Sequence, residues 1–522
     1  MRKILLASVA MLSASTGGAF AQLVPGMVES AYSGQIPNVP TSAAGANNNN
    51  NVTAAAIKGP TANPTPGTFV VRLGGRVNVE AGAGWSNVDS VYVPGTPASG
   101  GLTVVTLPKD GVSTLPAGNT FVSVNNGTGA ITSTTAKVAA VAPTGAKRNP
   151  YGIGTYMRLY PGLDAMATNG LRYGAGTEIR TNWGTNTTGG SGATSGQTLM
   201  VRRAFVYAAG DNWGLVRFGQ GDGVISLFDG GVTTSQNWSN SGVLNGGDAQ
   251  TVTPSRTAVP FYWMAVAGNE YGSNKIVYIS PKLFGVEAGF SYAPSPSNLY
   301  ADGGTSPYTL TAICPIASST CSTLSSSSNA ADAGRYTDLY QIGLRYLGDV
   351  GPVNVRAYGV YVGSGQVSYT GLAPTGRSTA GYFDNLSVYN AGIAGTFAGF
   401  TLGANWIGGA MNGQFALKPA GGANLNATTV GLQYVTGALT LGVTGAVATS
   451  QGSAALVGQT QLAEQEISFG GRYVVAPGLA VSADYLYQQR KQNGFNWVTN
   501  AAGEGKPQIQ AQSVLLGVAV NW

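Results

Sequence analysis

The sequence contains no histidine and only two cysteines among its 522 residues. The absence of histidine excludes any mechanism that needs an imidazole base from this chain, including Ser-His-Asp hydrolysis, and any histidine-ligated zinc site. Only carboxylate or Ser/Lys chemistry remains open, and no such pairing stands out, so we expect neither an enzyme nor a bound metal or cofactor. Cys314 and Cys321 lie in a Ser/Thr/Ala-rich segment. In an oxidising compartment we expect them to form a local disulfide.

Charged residues are also scarce. They make up 9% of the chain, against about 25% in a typical soluble domain. The net charge of +6 is spread along the chain. No basic cluster is interleaved with aromatic residues, so the sequence gives no support to a nucleic-acid partner. A composition this poor in charge is not typical of a large soluble protein.

Long hydrophobic runs are absent as well, so no transmembrane helix is predicted. Residues 1–21 have the pattern of a secretory signal peptide: Arg2 and Lys3, an apolar run over residues 4–12, and the small-residue site Ala-Phe-Ala at 19–21. Residues 22–65 are rich in Asn, Pro and Ala and show no period, which favours a flexible periplasmic extension. The sequence therefore predicts an exported chain whose folded domain covers residues 66–522.

Alternation at period two runs through that domain. Near its start, Phe69, Val71 and Leu73 alternate with polar or small residues, including Arg72 and Arg76. In the last fifteen residues large apolar side chains again take every second position, as far as Trp522, with Leu515 as the one interruption. This pattern places apolar side chains on one face of a strand and polar ones on the other. A barrel whose outer face contacts lipid accounts for it, with the last strand of a soluble sandwich as the alternative.

From residue 151 onward the alternating runs form seven pairs. Short turns rich in Gly, Asn, Asp and Pro join each pair, near residues 168–170, 210–212, 282–284, 348–350, 397–399, 436–438 and 476–478. Longer polar stretches separate the pairs. With the first and last strands this predicts an all-β, 16-stranded antiparallel transmembrane barrel with short periplasmic turns and long extracellular loops. A soluble propeller is disfavoured because the loops differ in length and share no repeat motif.

The odd or even position of a residue along its strand, which we call its parity, predicts whether its side chain faces the lumen. An arginine facing lipid at the midplane costs about 2–4 kcal/mol, so arginines on the polar phase are expected to line the pore. They are Arg72, Arg76, Arg158, Arg172, Arg180, Arg202, Arg217, Arg345 and Arg356. The inward carboxylates expected on the same basis are Glu80, Glu178, Glu464, Glu466 and Asp484. The alternative is that these arginines only solvate the interior or pair with neighbouring carboxylates.

Arg203 lies on the apolar phase of its strand, which would place it at a subunit interface or at the barrel rim. Tyr207, with other aromatic residues at strand ends such as Trp85 and Tyr473, would belong to an interfacial girdle. Val277 occupies an inward position where a polar residue is expected.

Three stretches together resemble the Gram-negative general (trimeric) porins, particularly the alphaproteobacterial type. They are residues 201–207 (VRRAFVY) with 213–220 (WGLVRFGQ), residues 274–281 (NKIVYISP) with Phe284 and Gly285, and the aromatic C-terminal strand. The resemblance covers about residues 69–522. It implies a homotrimer in contact with outer-membrane lipid, and a last strand, ending here at Trp522, that the barrel-insertion machinery recognises.

The resemblance also implies an inward-folded third loop. Here that loop is about residues 221–273, and its acidic Asp222 and Asp229 would face a basic wall of Arg72, Arg158, Arg202 and Arg217. We therefore expect an outer-membrane porin for ion transport and passive diffusion of small hydrophilic solutes, with a weak anion preference. The alternatives are a substrate-specific channel for a sugar or organic anion, and a non-conducting surface adhesin or structural barrel.

Overall fold

The computed structural model describes residues 64–87, 90–93, 104–107, 111–114, 121–124, 131–135, 144–147, 150–181, 199–228, 274–294, 334–335, 338–365, 368–369, 383–412, 418–498 and 501–522. The predicted signal peptide, nearly all of the predicted extension and the predicted Cys314–Cys321 disulfide lie outside these residues. Asp229 and most of the third loop lie outside them as well.

The described residues form a closed antiparallel barrel of sixteen strands. Its strands, numbered in chain order, are β1 (Thr68–Ser86), β2 (Tyr151–Met166), β3 (Arg172–Thr181), β4 (Leu199–Gly210), β5 (Gly214–Gln220), β6 (Asn274–Ile279), β7 (Val286–Ala293), β8 (Leu339–Val350), β9 (Val353–Gly363), β10 (Ser387–Phe397), β11 (Phe400–Ala410), β12 (Leu425–Thr436), β13 (Leu439–Ser450), β14 (Leu462–Ala476), β15 (Leu479–Lys491) and β16 (Gln508–Asn521). The predicted fold class and strand number are confirmed.

Each strand pairs with its neighbours in sequence, and β16 pairs with β1 to close the barrel. The closing register brings Trp522 beside Gly75: each backbone N–H donates to the carbonyl of the other, at 3.1 and 3.0 Å. Closure leaves no open strand edge, which a lipid environment requires because it offers no water to unpaired backbone groups. Both ends of the barrel sequence lie at the end where the short turns are.

Seven short turns join the hairpins at that end, as the Gly, Asn and Pro positions predict. Gly170 and Gly399 adopt φ of 83°, a conformation that residues with a side chain rarely take. The turn between β8 and β9 falls at Gly351 and Pro352, slightly later than the sequence pattern indicates. Long connections lie at the opposite end. The first of them contains short two-stranded sheets of its own, such as Val104–Leu107 with Gly111–Thr114.

The outer face of the barrel is apolar. Leu73 and Leu402 are more than half exposed, and many other large apolar side chains on the same phase are exposed too. Near the long-loop end Tyr361 lies against Tyr389 on the neighbouring strand, with ring centroids 4.9 Å apart. An apolar surface edged by aromatic rings matches the lipid contact face of a membrane barrel. Among the residues that the structure describes, no helix is long and apolar enough to cross a membrane.

A β-bulge in β4 reverses the parity of that strand. The pairing of β4 with β3 shifts register between Val201 and Arg203, so one extra residue is accommodated there. Beyond the bulge Arg203 and Tyr207 face inward, and they are only 4% and 3% exposed. The predictions that Arg203 lies at a subunit interface or at the barrel rim and that Tyr207 belongs to the aromatic girdle are therefore wrong. Period-two parity cannot anticipate an inserted residue.

Candidate functional site: a narrowed lumen

Most of the described charged side chains of the strands point into the barrel; Asp349 and Lys491, at strand ends, are exposed. Inward basic residues in the described part are Arg72, Arg76, Arg158, Arg172, Arg203, Arg217, Lys275, Arg345, Arg356, Arg472 and Arg490. Inward carboxylates there are Glu80, Asp164, Glu178, Glu287, Glu464, Glu466 and Asp484, and the third loop adds Asp222. Among the described residues, basic side chains thus outnumber acidic ones inside the barrel.

The described start of the third loop, residues 221–228, lies inside the barrel, which is the direction that the family resemblance implies. After β5 the chain forms one short helix, α1 (Val224–Phe228), whose apolar residues are buried against the inner face of β7, β8 and β9. Gly289 of β7 makes room for it: a Cβ there would lie 2.6 Å from the Phe228 ring and 2.8 Å from the Val224 side chain. Gly343 of β8 lies close to Val224 in the same way. Two inward glycines therefore form a shallow groove in which the helix packs.

Polar contacts fix α1 in that groove. The Ile225 backbone N–H donates to Oε1 of Gln341 at 2.9 Å, and Nη1 of Arg345 donates to the Leu227 carbonyl at 2.9 Å. Arg345 also forms an ion pair with Glu287 at 2.5 Å and lies over the Phe228 ring, 4.8 Å from its centroid. A guanidinium that bonds to a carboxylate, a carbonyl and a ring together has little freedom to move. Arg345 therefore holds the C-terminal end of α1 to the wall.

The start of the third loop is held by Arg203. Its Nε and Nη2 donate to the two carboxylate oxygens of Asp222 at 2.5 and 2.8 Å, which is the bidentate geometry that arginine favours. Its Nη1 donates to Glu178 of β3, and Arg158 of β2 lies 3.5 Å from the same carboxylate. Ser226 of α1 donates to Asp222 at 3.0 Å. A buried network of ion pairs thus joins strands β2, β3 and β4 to the start of the third loop.

Two further cations bind loop carbonyls. Nη2 of Arg217 donates to the carbonyl of Asp222, and Nζ of Lys275 donates to that of Gly221. The Arg217 guanidinium lies over the Phe205 ring at 4.6 Å, so the arginine is fixed on two sides. Cations from β5 and β6, the two strands that flank the loop, therefore hold its first residues. Of the predicted basic wall, Arg217 contacts the loop here, through the backbone carbonyl of Asp222.

A second cluster lies nearer the short turns. Nε of Arg72 is 2.6 Å from Asp164, and the Tyr207 hydroxyl donates to the same carboxylate. Arg172 lies 3.8 Å from Asp211, whose side chain is mostly exposed. The cluster connects β1, β2 and β4. Arg72 forms a local ion pair here, and no contact links it to residues 221–228, the part of the third loop that the structure describes.

Of the other predicted residues, Arg76 and Arg356 are inward and each is 7% exposed. Val277 faces inward and is fully buried, as parity predicts. The side chains of Arg180 and Arg202 lie outside the described part of the chain. The sequence analysis did not identify Asp164, Glu287 or Lys275 as inward residues. Glu287 could have been predicted, because it lies on the polar phase of a regularly alternating strand.

A closed barrel with an apolar exterior, a charged interior and an inward-folded loop defines the class of outer-membrane β-barrel channels. The sequence profile described as Gram-negative porin matches residues 8–493. The chain belongs to the Gram-negative porin family, and it is an outer-membrane diffusion channel.

The solved structures that match the chain do so at low similarity. The anion-selective porin from Comamonas acidovorans is 13% identical with a TM-score of 0.46, and the match covers 87% of this chain and 100% of that one. A mutant of the Rh. blastica porin is 12% identical with a TM-score of 0.39 at the same coverage. The outer membrane channel DcaP of Acinetobacter baumannii is 12% identical with a TM-score of 0.42, covering 87% of this chain and 97% of that one. A search of curated protein sequences found no match.

Proposed function

We propose that the pore passes small hydrophilic solutes and ions by passive diffusion, with its size limit set at the third loop. The observation that carries this proposal is α1, which packs on the inner wall and is anchored there by Arg345 and by the Arg203–Asp222 pair. A loop held by buried ion pairs narrows the lumen to a fixed degree, so exclusion by size needs no moving gate.

A weak anion preference is the second part of the proposal. Support comes from the excess of inward basic residues and from the pairing of several inward carboxylates with arginines. Glu178, Asp222 and Glu287, for example, each accept hydrogen bonds from an arginine. An anion entering the lumen therefore meets more positive than negative charge. The preference is weak because fields in a wet pore are screened over about 8 Å at physiological salt.

The assembly and the route of export also belong to this proposal. The chain works as a homotrimer in outer-membrane lipid, residues 1–21 are removed on export, and the insertion machinery recognises the last strand through Trp522. The apolar outer face of β16, with Trp522 directly after its last residue, supports contact with lipid and with the insertion machinery. We also propose that Asp222 and Asp229 are the acidic residues of the third loop that face the basic wall at the constriction.

Planar-bilayer recording of the purified protein tests the proposal. We expect conductance steps in groups of three and a reversal potential displaced toward the chloride equilibrium potential across a KCl gradient. A displacement toward the potassium potential would contradict the anion preference and leave the channel in place. Single, ungrouped steps would contradict the trimer.

A further inference from the structure

One sector of the barrel carries no charge. The strands β10, β11, β12 and β13 contain no Asp, Glu, Lys or Arg. The polar residues on their inner face are neutral hydroxyls and amides, and they include Asn390, Thr401, Asn405, Thr429, Gln433, Thr440, Thr444 and Ser450. Together with Tyr358 of β9 they make up what we call the neutral wall. Strands on both sides of it, from β5 to β9 and at β14 and β15, carry inward charges.

Tyr358 lies at the edge of the neutral wall, next to the strands that carry inward charges. In the strand register it faces Arg345, the residue that anchors α1. Its hydroxyl accepts a hydrogen bond from Nδ2 of Asn405 at 3.0 Å and donates to Oδ1 of Asn390 at 3.3 Å. Gly392, which lies between these strands, makes the contact possible, because a Cβ there would be 2.5 Å from the tyrosine ring. The Tyr358 hydroxyl thus orients the Asn390 and Asn405 amides at the edge of the neutral wall that lies next to the anchor of α1.

The neutral wall has unused hydrogen-bonding capacity. Within the described residues, Nδ2 of Asn390, Oγ1 of Thr429, Oγ1 of Thr440 and Oε1 of Gln433 have no hydrogen-bond partner. All four residues face inward and are at most 6% exposed. A recessed polar atom without a partner costs free energy, and a ligand that supplies the missing bond recovers it. The wall therefore offers both donors and acceptors to a solute in the lumen.

We propose that the neutral wall binds neutral polyhydroxylated solutes, such as oligosaccharides, as they cross the pore. Each sugar hydroxyl is both a donor and an acceptor, which matches the amides and hydroxyls of this wall. A charged solute gains no ion pair from it, so ions and sugars interact with different sectors of the lumen. The inference rests on the proposed diffusion function, and it assigns a substrate class to one part of the same pore.

Current block by a sugar tests this inference on the intact channel. The KCl current is recorded while sucrose is titrated, and a polyethylene glycol of the same hydrodynamic size serves as the non-binding comparison. We expect sucrose to block with saturation, and the polymer to reduce the current only in proportion to its effect on bulk conductivity. Equal effects of the two solutes on the wild-type channel would overturn the inference, and this result depends on no variant.

A matched pair of variants locates the site. Thr429→Val removes an inward hydroxyl without changing side-chain shape, and Thr428→Val makes the same change on the opposite face of the same strand. We expect Thr429→Val to raise the half-blocking sucrose concentration about threefold to tenfold, the effect of one lost hydrogen bond, and Thr428→Val to leave it unchanged. The KCl conductance should be the same in all three proteins.

Equal sucrose block in both variants would overturn the assignment of the site to the neutral wall. If the folded wild-type barrel carried no KCl current, the diffusion channel itself would be contradicted, and this inference with it. A conducting channel that sugars do not block would contradict the inference alone.

Discussion

Replacement of Arg203 by methionine removes the cation that joins the wall to the third loop. Glu178 and Asp222, its two partners, have fully buried side chains. Breaking a buried ion pair by removal of one partner costs about 3–5 kcal/mol, since the other charge is left without compensation. Glu178 keeps Arg158 at 3.5 Å, so the loss falls mainly on Asp222. We therefore expect Arg203→Met to lower the free energy of unfolding by about 3 kcal/mol.

Urea unfolding of the barrel in detergent micelles measures this loss. The control is Lys491→Met, which removes one exposed positive charge at the long-loop end and should change stability by less than about 0.5 kcal/mol. The double variant Arg203→Met with Asp222→Asn should be more stable than the sum of the single changes predicts, by about 1–3 kcal/mol, because the uncompensated carboxylate is then gone. A loss below about 1 kcal/mol for Arg203→Met, or additivity in the double variant, would refute the proposed clamp.

Three more substitutions, one of them with a matched control, test the position of the loop and the identity of the two barrel faces. Gly289→Val places side-chain atoms where Phe228 packs, so we expect a larger and noisier single-channel conductance; Gly359→Val, where a Cβ meets nothing within 4 Å, should leave the conductance unchanged. Arg345→Met removes one inward cation and the anchor of α1, so the reversal potential in a KCl gradient should shift away from the chloride value; an unchanged potential would contradict its place in the lumen. Leu516→Arg puts a charge on the lipid-facing side of β16 and should destabilise the folded barrel in bilayers by about 2–4 kcal/mol, whereas a neutral effect on urea unfolding would argue that this face does not contact lipid.

The number and order of the strands follow from the sequence because alternation is a local signal. Each strand must present apolar side chains to lipid, and each short turn needs residues such as Gly170 or Pro352 that favour tight backbone geometry. These requirements are repeated in every hairpin, so small errors, like the displaced turn between β8 and β9, do not alter the count.

The lumen is predicted less well because its contacts are long-range. Parity correctly places Arg72, Arg158 and Arg217 inside, but the bulge in β4 inverts it for Arg203 and Tyr207. Nothing in the local sequence indicates this inserted residue.

Even where alternation along a strand correctly predicts which way a side chain points, it does not predict which residues that side chain contacts. Asp222 is predicted on the constriction loop, but its bidentate bond with Arg203 depends on how the loop returns to the wall. The four strands of the neutral sector contain no charged residue in the sequence, although Lys418 lies in the connection between β11 and β12. The meaning of this sector depends on the barrel, which places these strands side by side around the lumen.

The proposed function requires this barrel to enclose a continuous aqueous path that the third loop narrows. The most direct test is the single-channel conductance of the purified, folded protein as KCl concentration is varied. A water-filled pore predicts an ohmic conductance that rises in proportion to the bulk conductivity of the solution, with a modest excess at low salt where the inward arginines are less screened. A folded barrel that carried no current at any KCl concentration would contradict the claim.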